Sequence, residues 1–264
     1  MMIRVTAAAL LLLGLPMAAP AQTPSTAVAG VDPALIEDLV AANRILAHEK
    51  VVDGYGHVSV RDPHNRDHYL MARSIAPALV TADDIITFDL DSNAIDAKGR
   101  GVYKERFIHG EIYKARPDVM AVVHSHSPTI VPFSVSKTPL RPILHVAGFL
   151  GMGPPVFEIR DAGGATNLLV ETPALGKALA ATLGKGDIVL MRGHGDTIAA
   201  ANVRLATYMA IYAEVDAREL AVALSLAGPI TYLDAAEVEK TDANMRTGAY
   251  ERPWQLWKRD AIGK

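Results

Sequence analysis

Helical and strand patterns alternate along this chain, and every strand pattern is short. Apolar residues recur at helical spacing over 32–52 and 202–228, and a third helical pattern covers 104–119 and is ended by Pro117. The short apolar or alternating runs between them are typical of strands. These runs read HVSVRD, HYLMARS, IITFDL, VMAVVHSH and DIVLMRGHG. The mixture predicts one α/β domain in which helices flank a central sheet.

Size and composition limit the classes of protein that fit. The chain has 264 residues and is 50% hydrophobic, which is enough for one sizeable core without requiring a second. The formal net charge is -3 and basic residues form no long block, so nucleic-acid binding is not expected. Cysteine is absent, which excludes a thiolate nucleophile and a cysteine-based zinc site. Any metal site must therefore come from histidine, aspartate and glutamate.

The amino terminus has the pattern of a secretory signal peptide. Arg4 precedes an apolar stretch, and the small residues APA at 19–21 form a cleavage motif. The apolar stretch is shorter than the roughly 20 residues that a membrane span needs, and Pro16 interrupts it. We therefore expect residues 1–21 to be removed near Ala21. The mature protein is then expected to be exported to the periplasm, with no stable membrane span.

The mature chain divides into a short leader and one domain. Residues 22–32 are rich in small residues and proline, which predicts a flexible start. Residues 33–264 are expected to form the single domain. Its tail, about 235–264, carries both tryptophans, Trp254 and Trp257. We interpret them as a hydrophobic anchor, and the alternative is that they cover the site of a neighbouring subunit.

His124 and His126 lie one residue apart at the end of the VMAVVHSH strand pattern. Residues i and i+2 of a strand point to the same face, so both imidazoles can reach one point while Ser125 faces away. Imidazole nitrogens suit zinc, manganese or iron. His194 lies between two glycines after another apolar strand pattern and supplies a third candidate ligand. Hydrogen-bonded strand histidines and a simple glycine turn are the structural alternatives.

Glu105 is the candidate carboxylate, because its helical pattern runs directly into the histidine strand. Three histidines and one carboxylate would build a metal site with an open position for a substrate. The alternative is an exposed glutamate that the dipole favours at the start of a helix. His109 follows one turn later on the same helical face, either as a partner of the site or as a packed residue.

Two segments together resemble a known family. KERFIHGEIYKARPDVMAVVHSHSP, followed by VLMRGHGDTIAA, is similar to class II aldolases and adducin heads, and the resemblance covers about 35–230. It implies an α/β/α sandwich around a mostly antiparallel central sheet, usually in a homotetramer with sites between subunits. It also implies that His124, His126 and His194 bind one divalent metal ion (zinc, manganese or iron). Glu105 would then be the catalytic acid and base.

The chain departs from the sugar-phosphate members of this family. Those members carry a Gly-Asn-x-Ser turn and a Ser-Ser pair that hold phosphate. Here His57 stands at the Asn position, and Tyr103 and Lys104 precede Glu105. The segments GHVSVRDP, ERFIHGEIY and LRPILHVAGFLG are more similar to the branch that decarboxylates hydroxylated aromatic or pyridine carboxylates, such as hydroxypyridine-dicarboxylate and dihydroxyphthalate decarboxylases. The resemblance therefore implies a small-molecule carboxylate substrate.

The expected activity is that of a metal-dependent carbon–carbon lyase, most simply a decarboxylase of a hydroxylated aromatic or heteroaromatic carboxylate. The metal ion would stabilise enolate- or phenolate-like charge, and the glutamate would move the proton. A second substrate carboxylate would need a cation, and Arg73 and Arg192 are candidates because guanidinium matches carboxylate geometry. His57, His109 and His145 are further candidate substrate contacts.

Three other functions fit the same residues. A class II aldolase would cleave a small hydroxy-carbonyl compound, and a non-heme iron oxygenase would use the same histidines. A non-enzymatic adducin-like binding module would have no need of the complete set of Glu105 and three histidines, which makes it the least favoured of the three.

Overall fold

Seven strands form one sheet in the computed structural model, which describes residues 30–263. The predicted signal peptide and most of the predicted flexible leader lie outside these described residues. The strands are β1 His57–Arg61, β2 His68–Ala72, β3 Ile85–Asp89, β4 Ala121–Ser125, β5 Val156–Phe157, β6 Ile188–Met191 and β7 Gly195–Ala200.

Helices connect and cover these strands. Within residues 30–263 they are α1 Pro33–His48, α2 Phe107–Ala115, α3 Ile130–Val135, α4 Ile159–Gly163, α5 Pro173–Leu183, α6 Val203–Ser225, α7 Ala235–Asn244 and α8 Glu251–Ile262. Asp32 caps α1 by accepting a hydrogen bond from the Ala34 N–H, and Pro33 occupies the first helical position. The pattern over 104–119 gives a shorter helix than predicted, because a separate 3-10 turn at Lys104–Arg106 precedes α2.

The strands follow the spatial order β3-β2-β1-β4-β7-β6-β5. Neighbouring strands of this sheet are antiparallel, apart from the parallel pair β5 and β6. This confirms the predicted mostly antiparallel sheet. It also places β4 in the middle, so that β1 and β7 lie on either side of the strand that carries His124.

Each face of the sheet carries its own hydrophobic core. Along β4, Ala121 and Val123 pack in the core that includes residues of α1, α6 and α8, while Val122 packs in the core that includes residues of α2 and α5. This alternation is the two-residue period of a strand that is covered on both faces. Helices therefore cover both faces of the sheet, and the predicted α/β/α sandwich is confirmed.

The C-terminal tail packs against the core that includes residues of α1 and α6. Trp254 and Trp257 of α8 are both buried, and the Trp257 ring lies 6.4 Å from Tyr208 and 5.9 Å from Tyr212 on α6. Large aromatic side chains of this kind contribute much of the apolar area that a helix can bury. The arrangement supports the interpretation of the tryptophans as a hydrophobic anchor of this chain.

No helix among the described residues combines the length and the apolar character needed to cross a membrane.

Gly195 permits the close approach of β7 to β4. A Cβ atom at this position would lie 1.9 Å from the carbonyl oxygen of Ser125, which is backbone and cannot rotate away. In the register of the two strands, Ser125 is paired with Asp196. Only glycine therefore allows the two strands to pair where the three histidines converge.

We expect Gly195→Ala to lower the free energy of unfolding by ~1–3 kcal/mol, because the added methyl group must push the strands apart. Urea unfolding followed by circular dichroism measures the change. Gly101→Ala is the matched control, since a Cβ there meets nothing within 4 Å. Equal unfolding midpoints for the two variants would contradict the close packing described above.

Candidate active site

Three histidines meet where β4 ends and β7 begins. His124 is in β4, His126 follows its end, and His194 lies in the turn between β6 and β7. Because β4 and β7 are antiparallel neighbours, the end of one strand lies beside the start of the other. Glu105 approaches from the turn before α2, and one ligand atom from each of these four residues lies within 4.8 Å of the others.

Backbone carbonyl groups orient two of the imidazoles. His124 Nδ1 lies 3.0 Å from the carbonyl oxygen of Asp196, and His194 Nδ1 lies 2.9 Å from that of Leu168. A carbonyl oxygen only accepts, so each Nδ1 carries a proton and each Nε2 faces the cluster, where it offers a lone pair when the ring is neutral. Metal-binding histidines are commonly oriented in this way, by an acceptor that binds the N–H of the other ring nitrogen.

The donor atoms of the cluster fit a divalent metal ion. The Nε2 atoms of His126 and His194 are 2.9 Å apart, and His124 Nε2 is fully buried with no hydrogen-bond partner in the described chain. Glu105 Oε2 lies 3.7 Å from His124 Nε2 and 3.5 Å from His194 Nε2. A buried lone pair without a partner is costly unless something binds it. Three imidazole nitrogens and one carboxylate suit zinc, manganese or iron.

The loop after β4 is held by a buried carboxylate of α6. Glu214 Oε2 accepts hydrogen bonds from the Ser127 hydroxyl and from the Thr129 N–H, at 2.5 and 3.0 Å. These bonds begin one residue after His126 and fix the path of the chain there. The sequence carried no signal for this contact, because 87 positions separate Ser127 from Glu214.

Glu105 is a buried, ionised carboxylate rather than an exposed helix start. It is 7% exposed, and its φ and ψ of -87° and 19° place it in the sparsely populated bridge region. Its Oε1 accepts the Val170 N–H at 2.8 Å, which leaves Oε2 facing His124 and His194. Burial opposes ionisation, but the His194 hydrogen bond, the nearby imidazoles and the Val170 N–H outweigh it and lower the pKa of Glu105 to about 2.

Burial and charge set the protonation of the histidines. Burial lowers the pKa of His124 to about 3 and that of His109 to about 3, so both rings are neutral at physiological pH. Burial also acts to lower the pKa of His194, but the hydrogen bond and charge of Glu105 outweigh it and raise that pKa. Neutral imidazoles are the form that binds metals.

A cavity of about 720 Å³ opens beside the cluster and reaches Glu105 and His126. Its volume lies in the range of small-molecule sites. Polar and aromatic side chains on its wall include Tyr55, His57, Ser74, Tyr103 and Lys104.

Of the five predicted substrate contacts, the structure places one, His57, on the cavity wall and a second, His109, directly behind it. The His57 ring lies 5.0 Å from that of His124, and its Nδ1 lies 2.7 Å from His109 Nε2. Arg73 and Arg192 are instead engaged by carboxylates of this chain, namely those of Asp84 and Glu158. His145 is exposed and does not line the cavity. Neither arginine is therefore an unpaired cation at the cavity.

Sequence reasoning did not assign Lys104 to substrate. Lys104 is an exposed residue that lines the cavity beside Glu105, and it forms no ion pair among residues 30–263. The only available signal was its position next to the predicted catalytic glutamate. Ser59 and Tyr113 also went unassigned, although Ser59 shares a strand face with His57 and Tyr113 lies one helical turn beyond His109.

The sequence of this chain is similar to those of known proteins. The family described as the class II aldolase and adducin N-terminal domain matches residues 37–220. The decarboxylase tropJ of Talaromyces stipitatus is 32% identical over 85% of this chain and 93% of its own length. The 3,4-dihydroxyphthalate decarboxylase of Arthrobacter keyseri is 34% identical over 66% of this chain and 73% of its own length.

A solved structure has the same fold. The L-fuculose 1-phosphate aldolase of Glaciozyma antarctica is 25% identical and superposes with a TM-score of 0.72, over 87% of this chain and 90% of the aldolase. The family match spans more than half of the chain, and the seven-stranded sheet and its flanking helices agree with it. This chain belongs to the class II aldolase and adducin family.

Proposed function

We propose that this protein is a metal-dependent decarboxylase of a hydroxylated aromatic or heteroaromatic carboxylate. The observation that carries the proposal is the convergence of Glu105 and three histidines beside a cavity lined by Lys104, which has no ion-pair partner among residues 30–263. Relatives that cover most of this chain are named as decarboxylases, which supports the same reaction class. An anaerobic screen of hydroxylated aromatic carboxylates for carbon dioxide release tests it.

Decarboxylation must leave an electron pair on the carbon that loses carbon dioxide. A divalent ion held by His124, His126 and His194 would supply a Lewis acid for the charge on an adjacent substrate oxygen. Glu105 is ionised and accepts the proton of the substrate hydroxyl. As the carbon–carbon bond breaks, carbon dioxide departs and its bonding pair remains on the ring carbon. Glu105 then returns the proton to that carbon, so that protons and charge balance.

Lys104 is the residue we propose for a second carboxylate of the substrate. Lys104 lines the cavity and forms no ion pair among residues 30–263, whereas Arg73 and Arg192 are paired. Lys104 is exposed, and its ammonium would gain a charge-assisted hydrogen bond with a substrate carboxylate. The substrate class that this predicts is a hydroxylated aromatic dicarboxylate.

A class II aldolase acting on a small hydroxy-carbonyl compound is the second candidate. The structural likeness to a fuculose-phosphate aldolase favours it, because the same cluster can stabilise the charge left by retro-aldol cleavage. His57, Tyr103 and Lys104 stand where sugar-phosphate members carry phosphate contacts. Cleavage of a non-phosphorylated hydroxy-carbonyl compound, with no decarboxylation, would select this alternative.

Two further parts of the proposal derive from the sequence and the family. The apolar stretch and the APA motif before residue 22 support export to the periplasm with cleavage near Ala21. Membership of the family supports a homotetramer.

We expect the variants His124→Ala and His126→Ala each to lose the bound metal ion, because each variant lacks one of the three nitrogen ligands. Elemental analysis of the purified proteins measures the metal content. His68→Ala is the matched control. His68 lies at the turn end of the β1–β2 hairpin, away from the end of β1 that pairs with His124, and it contacts Asn65. Stoichiometric metal in either cluster variant would exclude the assigned ligands.

Glu105→Gln should reduce the rate of carbon dioxide release by about 10²–10⁴-fold while bound metal is retained. The amide preserves the shape and can still accept the Val170 N–H, but it cannot carry the proton. Turnover and metal content are measured on the same preparation. Wild-type turnover in this variant would show that another group moves the proton.

Lys104→Met should raise KM for a hydroxylated aromatic dicarboxylate by about tenfold, because one charge-assisted contact is lost. The corresponding monocarboxylate should respond little, since it lacks the group that Lys104 binds. Lys177→Met, an exposed change on α5 outside the cavity, is the control. Equal effects on both substrates would exclude a dicarboxylate-specific role.

A further inference from the structure

A continuous chain of four polar side chains runs from the cavity wall into the layer between the sheet and α2. His57 Nδ1 lies 2.7 Å from His109 Nε2, and His109 Nδ1 lies 2.6 Å from Ser59 Oγ. Ser59 Oγ lies 2.7 Å from the Tyr113 hydroxyl. All four residues are buried, so each polar atom needs a partner within the chain.

The periodicities of one strand and one helix build this chain. His57 and Ser59 are i and i+2 on β1, and His109 and Tyr113 are i and i+4 on α2. Both pairs therefore face the same interlayer space. The register of β1 and β4 also pairs His57 with His124, which sets the cavity end of the chain beside the histidine cluster.

The hydroxyl of Tyr113 sets the direction of the hydrogen bonds. Ser59 is its only side-chain partner within residues 30–263, so the phenol proton must be donated to Ser59 Oγ. Ser59 then donates its own proton to His109 Nδ1. A neutral imidazole carries one proton, so that of His109 is on Nε2 and is donated to His57 Nδ1.

His57 is the last member of this chain, and its single proton is therefore on Nε2. The opposite direction would leave the buried phenol proton of Tyr113 without an acceptor, which is the costly arrangement. It would also present a lone pair of His57 to the cavity instead of an N–H group. The two directions thus predict opposite hydrogen-bonding characters for the same cavity wall.

We propose that His57 is a fixed Nε2–H donor that recognises an acceptor oxygen of the substrate, a carboxylate or phenolate oxygen, and that His109, Ser59 and Tyr113 are positioning residues that set its tautomer. The substrate half of this inference rests on the proposed function. A ring nitrogen that can only donate a hydrogen bond favours an anionic substrate oxygen. It disfavours a substrate hydroxyl that must itself donate its proton.

The tautomer is measured directly by two-bond proton–nitrogen correlation spectra of the zinc-loaded, 15N-histidine-labelled mature protein. We expect His57 and His109 both to be protonated at Nε2 only. Addition of salicylate, a simple hydroxylated aromatic carboxylate, should shift the His57 Nε2–H resonance. A His57 ring protonated at Nδ1, or a resonance that salicylate leaves in place, would overturn the inference.

Variants separate positioning from packing. Ser59→Ala should give a mixture of His57 tautomers, and an equal mixture weakens salicylate binding by about twofold, because only half of the population offers the Nε2–H donor. His57→Gln, whose amide N–H replaces Nε2–H, should bind more tightly than His57→Leu. Thr207→Val is the matched buried-hydroxyl control, because within residues 30–263 the Thr207 hydroxyl bonds only to the Val203 carbonyl of its own helix.

The outcomes distinguish this inference from the proposed function. A wild-type tautomer and affinity in Ser59→Ala would reject the positioning role, whatever reaction the protein catalyses. If the tautomer is as expected and salicylate binds at His57, but no carboxylate releases carbon dioxide, the proposed reaction fails and the donor assignment stands.

Discussion

The pairing of β4 with β7 is the interaction on which the rest of the site depends. The strands are antiparallel, and Gly195 lets their backbones meet beside Ser125 at the place where the histidines converge. His124 and His194 come from positions 70 residues apart in sequence, and only this pairing brings their Nε2 atoms to one point. A small change in the spacing of β4 and β7 would therefore displace the ligand atoms of the histidines even where the overall fold is kept.

Backbone groups orient the side chains of the cluster. The carbonyl of Asp196 fixes His124, that of Leu168 fixes His194, and the Val170 N–H fixes one oxygen of Glu105. Each of these partners is a backbone group, so the orientation depends on the path of the main chain more than on neighbouring side chains. Such preorganisation lowers the cost of assembling the site when a ligand arrives.

Much of this arrangement could be predicted from short-range patterns, because strand and helix periods decide which side chains share a face. The two-residue spacing of His124 and His126 was sufficient to predict their convergence. β7 was missed because its sequence, GDTIAA, has few large apolar residues. It is buried because strands cover both of its edges and other layers cover both faces, which no local pattern records.

Charge pairing was harder to predict than the cluster. Arg73 forms an ion pair with Asp84, and Arg192 forms one with Glu158, because the intervening loops bring these residues together. Both candidate cations are therefore paired within the chain. The sequence shows only that an arginine is near a predicted site. It does not show whether the arginine pairs with a carboxylate of the chain or is left for a carboxylate of the substrate. Lys104 lines the cavity instead because it shares the short turn that positions Glu105.

The two faces of the sheet differ in the side chains that they carry. The face toward α1, α6 and α8 is packed with apolar side chains and keeps the sandwich together. On the opposite face, apolar packing against α5 gives way at the cavity end to His57 and Ser59 of β1 and to His109 of α2. Substitutions in this polar layer can change the substrate without disturbing the larger core. Relatives of this chain are named as decarboxylases and as aldolases, so the fold alone does not fix the reaction, and the side chains around the cavity must.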